Sequence, residues 1–178
     1  MDQKNKHYGK YRGIVVDNVD PQQTGRLLAQ VPDILGLSVS TWAMPCVPFG
    51  GILTGMYSVP SIGAGVWIEF EQGNLDFPIW TGCFWGSTAE LPSFSKLVPP
   101  GLSAVALQTT LQNGILVSDV PGPTGGIILK STAGASIIVN DTGIYITNGQ
   151  GASMVMTGPA LTITAGTVTI NEGALVIV

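Results

Sequence analysis

Charge is what this chain has least of. Asp, Glu, Lys and Arg make up 10% of its 178 residues, while 45% are apolar. Soluble domains ordinarily carry about 25% charge, so a membrane or a large permanent interface has to account for the deficit. Long hydrophobic runs are missing too. No apolar stretch approaches the ~18 residues of a spanning helix, which leaves an obligate oligomer as the better account. The opening MDQKNKHYGK has no apolar segment after its basic residues, so no Sec-type signal peptide is expected.

Catalytic equipment is equally sparse. The only histidine, His7, lies in a polar leader beside Lys4 and Lys6, leaving any Ser or Cys nucleophile without an evident base. One His and two distant cysteines make no metal cluster. Cys46 and Cys83 sit in strand-like apolar contexts and are expected to be buried free thiols. Glu69 and Glu71 share one strand face at spacing two and read as outward charge. Asp17, Asp20 and Asp33 read as turn residues. The glycine-rich steps of the second half are not followed by Gly-Lys-Ser/Thr, so they form no phosphate cradle. Neither an enzyme nor a cofactor is expected. The net charge of −4 argues against a nucleic-acid partner, which needs a basic patch.

What the chain does have is a ladder of short strands. Apolar pairs recur at Ile127/Leu129, Ile137/Val139, Ile144/Ile146, Met154/Met156, Leu161/Ile163, Val168/Ile170 and Leu175/Ile177. Spacing of two within each pair is the period of a strand with one buried face. Gly, Asn, Asp or Pro separates most pairs, leaving room for one strand of about five residues per step. The segments LQTTLQNGILVSDV (residues 107–120) and LKSTAGASIIVNDT (129–142) form an internal repeat at an offset of 22, each with an aspartate, Asp119 or Asp141, near its end. Those aspartates read as turn formers bonding their own backbone. A repeat too small to bury its own face is the mark of a stacked architecture.

The charge is also placed unevenly. Residues 1–96 hold 14 of the 18 charged side chains and residues 97–178 hold four. That shift sets the expected divisions: a flexible leader over 1–10, a barrel over 11–90, a Pro-rich linker over 91–102 and a β-shaft over 103–178. Within the barrel, strands are expected at 11–19, 26–32, 40–47, 66–71 and 77–84, with a long Gly/Pro loop over 48–65 and no helix. Five such strands fit an all-β OB-like barrel.

Three stretches carry a family resemblance: GIVVDNVDPQQTGRLLAQVPDI at 13–34, WAMPC at 42–46, and PSIGAGVWIEFEQGNLDFPIWTG at 60–82. Together, the Asp20-Pro21…Gly25-Arg26 turn and the Val-Trp-Ile-Glu-Phe-Glu…Pro-Ile-Trp run resemble the OB domain of the phage baseplate assembly protein V family. That family comprises central spikes of contractile phage tails and their relatives in type VI secretion and extracellular injection systems. The repeat-rich tail resembles the family's C-terminal β-helix.

The resemblance implies an OB-fold barrel followed by an intertwined trimeric β-helix, in which strands of three chains alternate along each face of a prism. Seven strands at ~4.8 Å make a shaft of roughly 34 Å. The fourteen residues of the seven pairs become the trimer core. It further implies a homotrimer docked on a baseplate hub, assembled in the bacterial cytoplasm as part of a phage tail or similar particle, and piercing a target envelope. A PAAR-type tip protein would cover the apolar end at Leu175, Val176, Ile177 and Val178. Tyr8, Tyr11, Ile52, Leu53, Met56 and Tyr57 are the candidate hub contacts. The sole histidine lies at the wrong end for a metal-bearing tip. The alternative is an OB module that binds oligonucleotide or glycan and uses the β-tail as a trimerising stalk.

Overall fold

A computed structural model describes residues 6–170 and 175–177. The chain divides into two compact units, residues 1–90 and 91–178.

The first unit is built on strands β1 (Tyr11–Asp17), β2 (Leu28–Gln30), β3 (Met44–Pro45), β4 (Gly50–Gly51), β5 (Thr54–Gly55), β6 (Gly65–Phe70) and β7 (Pro78–Phe84). Period-two patterning drives the longer ones. In β6, Val66, Ile68 and Phe70 point inward while Trp67 and Glu69 point out. Five strands form one sheet in the order β2–β1–β6–β7–β3, and β3 runs parallel to β7. The sheet curls into a half-barrel. Its two outer strands are tied where Leu27 and Ala43 exchange backbone hydrogen bonds of 3.2 and 2.8 Å. Val15, Leu27, Ala29, Val31, Ala43, Val66, Ile68, Phe70 and Trp80 fill the interior. Gly65 has no room for a side chain, because the Phe84 ring lies across it at 2.7 Å from where a Cβ would stand.

Three expectations for this unit need correction. The third strand is two residues long rather than eight, since 40–43 and 46–47 make only single bridges or none. A helix was not expected, yet α1 (Pro32–Leu35) makes one turn, with Pro at its first position supplying a preset φ and lacking a donor that would go unpaired there anyway. The loop over 48–65 contains the hairpin β4–β5, which was missed because its two-residue tip is Ile52–Leu53 rather than Asn-Gly.

The second unit is a meander: β8 (Ala104–Gln108), β9 (Gly114–Ser118), β10 (Gly126–Lys130), β11 (Ser136–Asn140), β12 (Gly143–Thr147), β13 (Ser153–Thr157) and β14 (Ala160–Thr164). Each strand pairs antiparallel with the next in sequence. β15 (Val168–Ile170) and β16 (Leu175–Ile177) form a separate antiparallel pair. The expectation that strands of three chains alternate along one face is corrected here, because the ladder hydrogen bonds of β8 to β14 close within a single chain. Tight turns force this: two residues, Asp141 and Thr142, separate β11 from β12, too few for anything but a hairpin.

The internal repeat is the hairpin β8–β9 followed by the hairpin β10–β11. Their five-residue loops fold alike, with Thr109 N–H donating to the Asn113 carbonyl and Ser131 N–H to that of Ala135, both at 2.9 Å. The loop at 148–152 repeats the bond at 3.2 Å. Asp141 does not bond its own turn. Its carboxylate instead accepts the Gly122 N–H at 3.0 and 3.1 Å, pinning the neighbouring loop, while Asn140 bonds the turn through Thr142 N–H at 2.9 Å.

The segment expected as a Pro-rich linker also packs. A short 3-10 turn at Ser93–Leu97 lays Phe94 over Leu116 and Ile128, making a second small core. The Gln108 side chain holds it by accepting the Phe94 N–H at 3.1 Å.

Candidate functional site

The register of the meander sorts its side chains into two unlike faces. On one, Val105, Val117, Ile127, Val139, Ile144, Met156 and Leu161 stand opposite one another from strand to strand. Beside them runs a second row: Leu107, Ile115, Leu129, Ile137, Ile146, Met154 and Ile163. Every member of both rows is apolar. Eleven of the fourteen rank among the exposed large hydrophobic residues of the chain, from Ile146 at 38% to Val105 at 63%.

The other face is mixed. Its central row is Ala106, Leu116, Ile128, Ile138, Tyr145, Val155 and Thr162, flanked by Ser, Thr, Asn, Gln, Gly, Ala and Lys130. Phe94 covers the start of that row, and Leu116 is fully buried beneath it. A single chain therefore covers part of its mixed face and leaves its wholly apolar face open to water. Contiguous exposed apolar surface of this extent marks an interaction site.

Residues 11–85 match the type VI secretion system/phage-baseplate injector OB domain, and residues 104–176 match the phage baseplate V C-terminal trimerisation domain. The chain belongs to the phage baseplate V family. No curated protein matches it. The family's role is structural, of baseplate-spike type, and its trimerisation domain supports a homotrimer. In this baseplate V protein the trimerisation segment contains both apolar rows from Val105 on.

Ten of the fourteen residues picked from the sequence, Ile127 to Ile163, fall on the apolar face in direct register. Val168 pairs with Ile177 and Ile170 with Leu175 in the terminal hairpin. The sequence reading missed four members, Val105, Leu107, Ile115 and Val117, although the repeat at offset 22 places Leu107 on Leu129 and Ile115 on Ile137. Of the tip-docking candidates, Leu175, Val176 and Ile177 form β16; Val178 lies outside the described residues.

The hub candidates scatter over the first unit. Ile52 and Leu53 form the exposed tip of the β4–β5 hairpin, and Met56, Tyr57 and Tyr8 are exposed. Tyr11 is half-buried and engaged with its own barrel, its ring 5.7 Å from that of Phe70 and its hydroxyl donating to the Tyr8 carbonyl at 3.1 Å.

Three of the four tryptophans are engaged inside the chain. Arg12 lies over Trp67 and Phe84, Arg26 lies over Trp42, and Trp80 is buried with its N–H donated to the Gly25 carbonyl at 3.1 Å. Those rings are committed to packing.

The densest polar feature is the turn after β1. The Asp20 carboxylate accepts the N–H groups of Gln22, Thr24 and Arg26 and pairs with the Arg26 guanidinium at 2.6 Å. Arg26, and then the Gln22 and Thr24 donors, hold this carboxyl well below the usual carboxylate range against the opposing cost of desolvation. The Asp-Pro…Gly-Arg motif is thus a structural clasp. Glu69 pairs with Lys10 at 2.8 Å on the exposed surface, and Glu71 lies beyond the strand end in a 3-10 turn. Both cysteines are free, but they are exposed rather than buried. Partial desolvation still pushes the Cys83 thiol up. Among the described residues, no group of three His, Cys, Asp or Glu could hold a metal, and no helix is long and apolar enough to cross a membrane.

Proposed function

We propose that three copies of this chain form the central spike of a contractile injection machine, their meanders meeting apolar face to apolar face in a triangular prism. One observation carries the reading. Two unbroken rows of seven apolar side chains share the open face of a sheet whose interior strands already have their ladder partners in the same chain. With its ladder closed within the chain, the sheet needs partners for its side chains, and three identical faces meeting on an axis supply them.

Burial of such a side chain contributes ~1.5–3 kcal/mol, so the prism would be stiff through its dry core. The mixed face, carrying Ser, Thr, Asn and a single Lys, would form the outside of the shaft. The barrels would dock on the hub of the baseplate, and the β15–β16 end would carry a PAAR-type tip and lead into the target envelope. Assembly would take place in the bacterial cytoplasm, within the tail-like particle.

The test is the mass of the purified chain by light scattering at neutral pH and moderate salt. A trimer of the 18.5 kDa chain that survives mild detergent supports the spike. A monomer overturns it and returns the OB-module alternative to the front.

A further inference from the structure

The β4–β5 hairpin places its largest side chains where they do least for its own fold. Gly50 pairs with Gly55 and Gly51 with Thr54, so Ile52 and Leu53 are the two turn residues. Both are essentially fully exposed, and Leu53 has a φ of +54°. Left-handed backbone is strained for a bulky side chain, and Asn-Gly is the usual solution for such a turn. Strain kept together with exposed apolar surface points to a contact outside the chain. No charged residue occurs anywhere from 34 to 68, so the hairpin and its tip are uncharged.

An apolar acceptor exists on the outer face of the same barrel, where the Arg12 guanidinium is turned onto the Trp67 and Phe84 rings. Val39, Gln30, Ile14, Gly65 and Phe84 stand opposite one another across the sheet. Ile14 and Val39 are about half exposed, Val16 points outward beside them, and Leu37 is exposed nearby.

We propose that the Ile52–Leu53 tip of each barrel seats on the Ile14–Val16–Val39 face of the next copy, closing three barrels into a ring. The inference rests on the trimer reading above. That reading is also what selects a second copy as the occupant. Only residues 86–103 separate the two matched segments, a reach of at most ~60 Å. In a trimer held by the meanders, each tip therefore meets neighbouring barrels at an effective concentration on the order of millimolar. A closed three-fold ring needs two unlike, complementary surfaces on each copy; the apolar tip and the exposed Ile14, Val16 and Val39 are such a pair.

The experiment uses the full-length chain with Cys46→Ser and Cys83→Ser, adding Leu53→Cys with Ile14→Cys, or Leu53→Cys alone, and a short bismaleimide. Light scattering first establishes the oligomer. The expected result is a trimer in which the double variant becomes covalently linked between chains, up to a closed trimer on a denaturing gel, while the single variant stays monomeric on the gel. In the single variant, the thiol introduced at the hairpin tip should react far more slowly in the trimer than in urea.

Failure of interchain linkage in a confirmed trimer overturns the proposal and leaves the spike reading standing. So does linkage within one chain, or a tip thiol as reactive in the trimer as in urea, which would leave the hairpin free for a different protein. A monomer by light scattering removes the spike reading and this inference together.

Discussion

Ile137 and Ile138 are sequence neighbours on opposite faces of β11, and substituting each separates folding from assembly. Ile137 stands in the second apolar row and keeps 42% of its surface exposed in the single chain. Full burial of such a side chain contributes ~1.5–3 kcal/mol, so the part still open to assembly is about 1 kcal/mol per copy and about 3 kcal/mol per trimer.

Ile137→Asp loses that contribution and adds a desolvation cost of several kcal/mol for each carboxylate. The total is on the order of 10 kcal/mol, comparable with the whole stability of a domain at ~5–15 kcal/mol. Within one chain the change falls on an open face and leaves the strand ladder intact. Ile138 instead packs toward Phe94, Leu116 and Ile128. Ile138→Ala should cost ~1–3 kcal/mol of fold stability and leave the apolar rows untouched.

The assay is light scattering together with circular dichroism on both variants. Ile137→Asp should be a β-rich monomer, and Ile138→Ala a trimer that melts at lower temperature. A heat-resistant trimer from Ile137→Asp would refute the assignment of this face to the interface.

The remaining predictions concern the packing and polar contacts inside each unit. Phe94→Ala should destabilise the second unit by ~3–5 kcal/mol, seen as a lower melting transition; an unchanged transition would mean that 91–102 is a passive linker. Because the Asp20 carboxyl is depressed, its stabilising effect is complete above the ordinary carboxylate pKa of ~4 and fades as pH falls through ~4 toward the lower folded value. The difference in melting temperature between wild type and Asp20→Asn should thus be constant from pH 8 to pH 5 and shrink below pH 4. A difference independent of pH would refute the clasp. Cys83, raised by desolvation, should be alkylated more slowly at pH 8 than in the urea-unfolded chain; equal rates would contradict the partial desolvation of its thiol.

The sequence by itself determined the all-β class and ten members of the apolar face, because a side-chain period of two survives whatever the strands pair with. It also carried the repeat, since Leu107 and Leu129 occupy equivalent hairpin positions whose loops fold alike. Spacing along one chain does not say which chain supplies the neighbouring strand, so the alternation of three chains was read where the turns close the ladder within one. Phe94 sits in a Pro- and Ser-rich stretch without periodicity, and only its packing on Leu116 and Ile128 gives it a role. The β4–β5 hairpin escaped notice because its turn lacks Asn-Gly, and α1 because one helical turn is too short to show a period. Exposure, too, was decided by tertiary structure. The same apolar alternation describes a strand buried by its own chain and one left open for a partner. Only the packed sheet shows that Phe94 covers the start of one face and that, among the described residues, nothing covers the other.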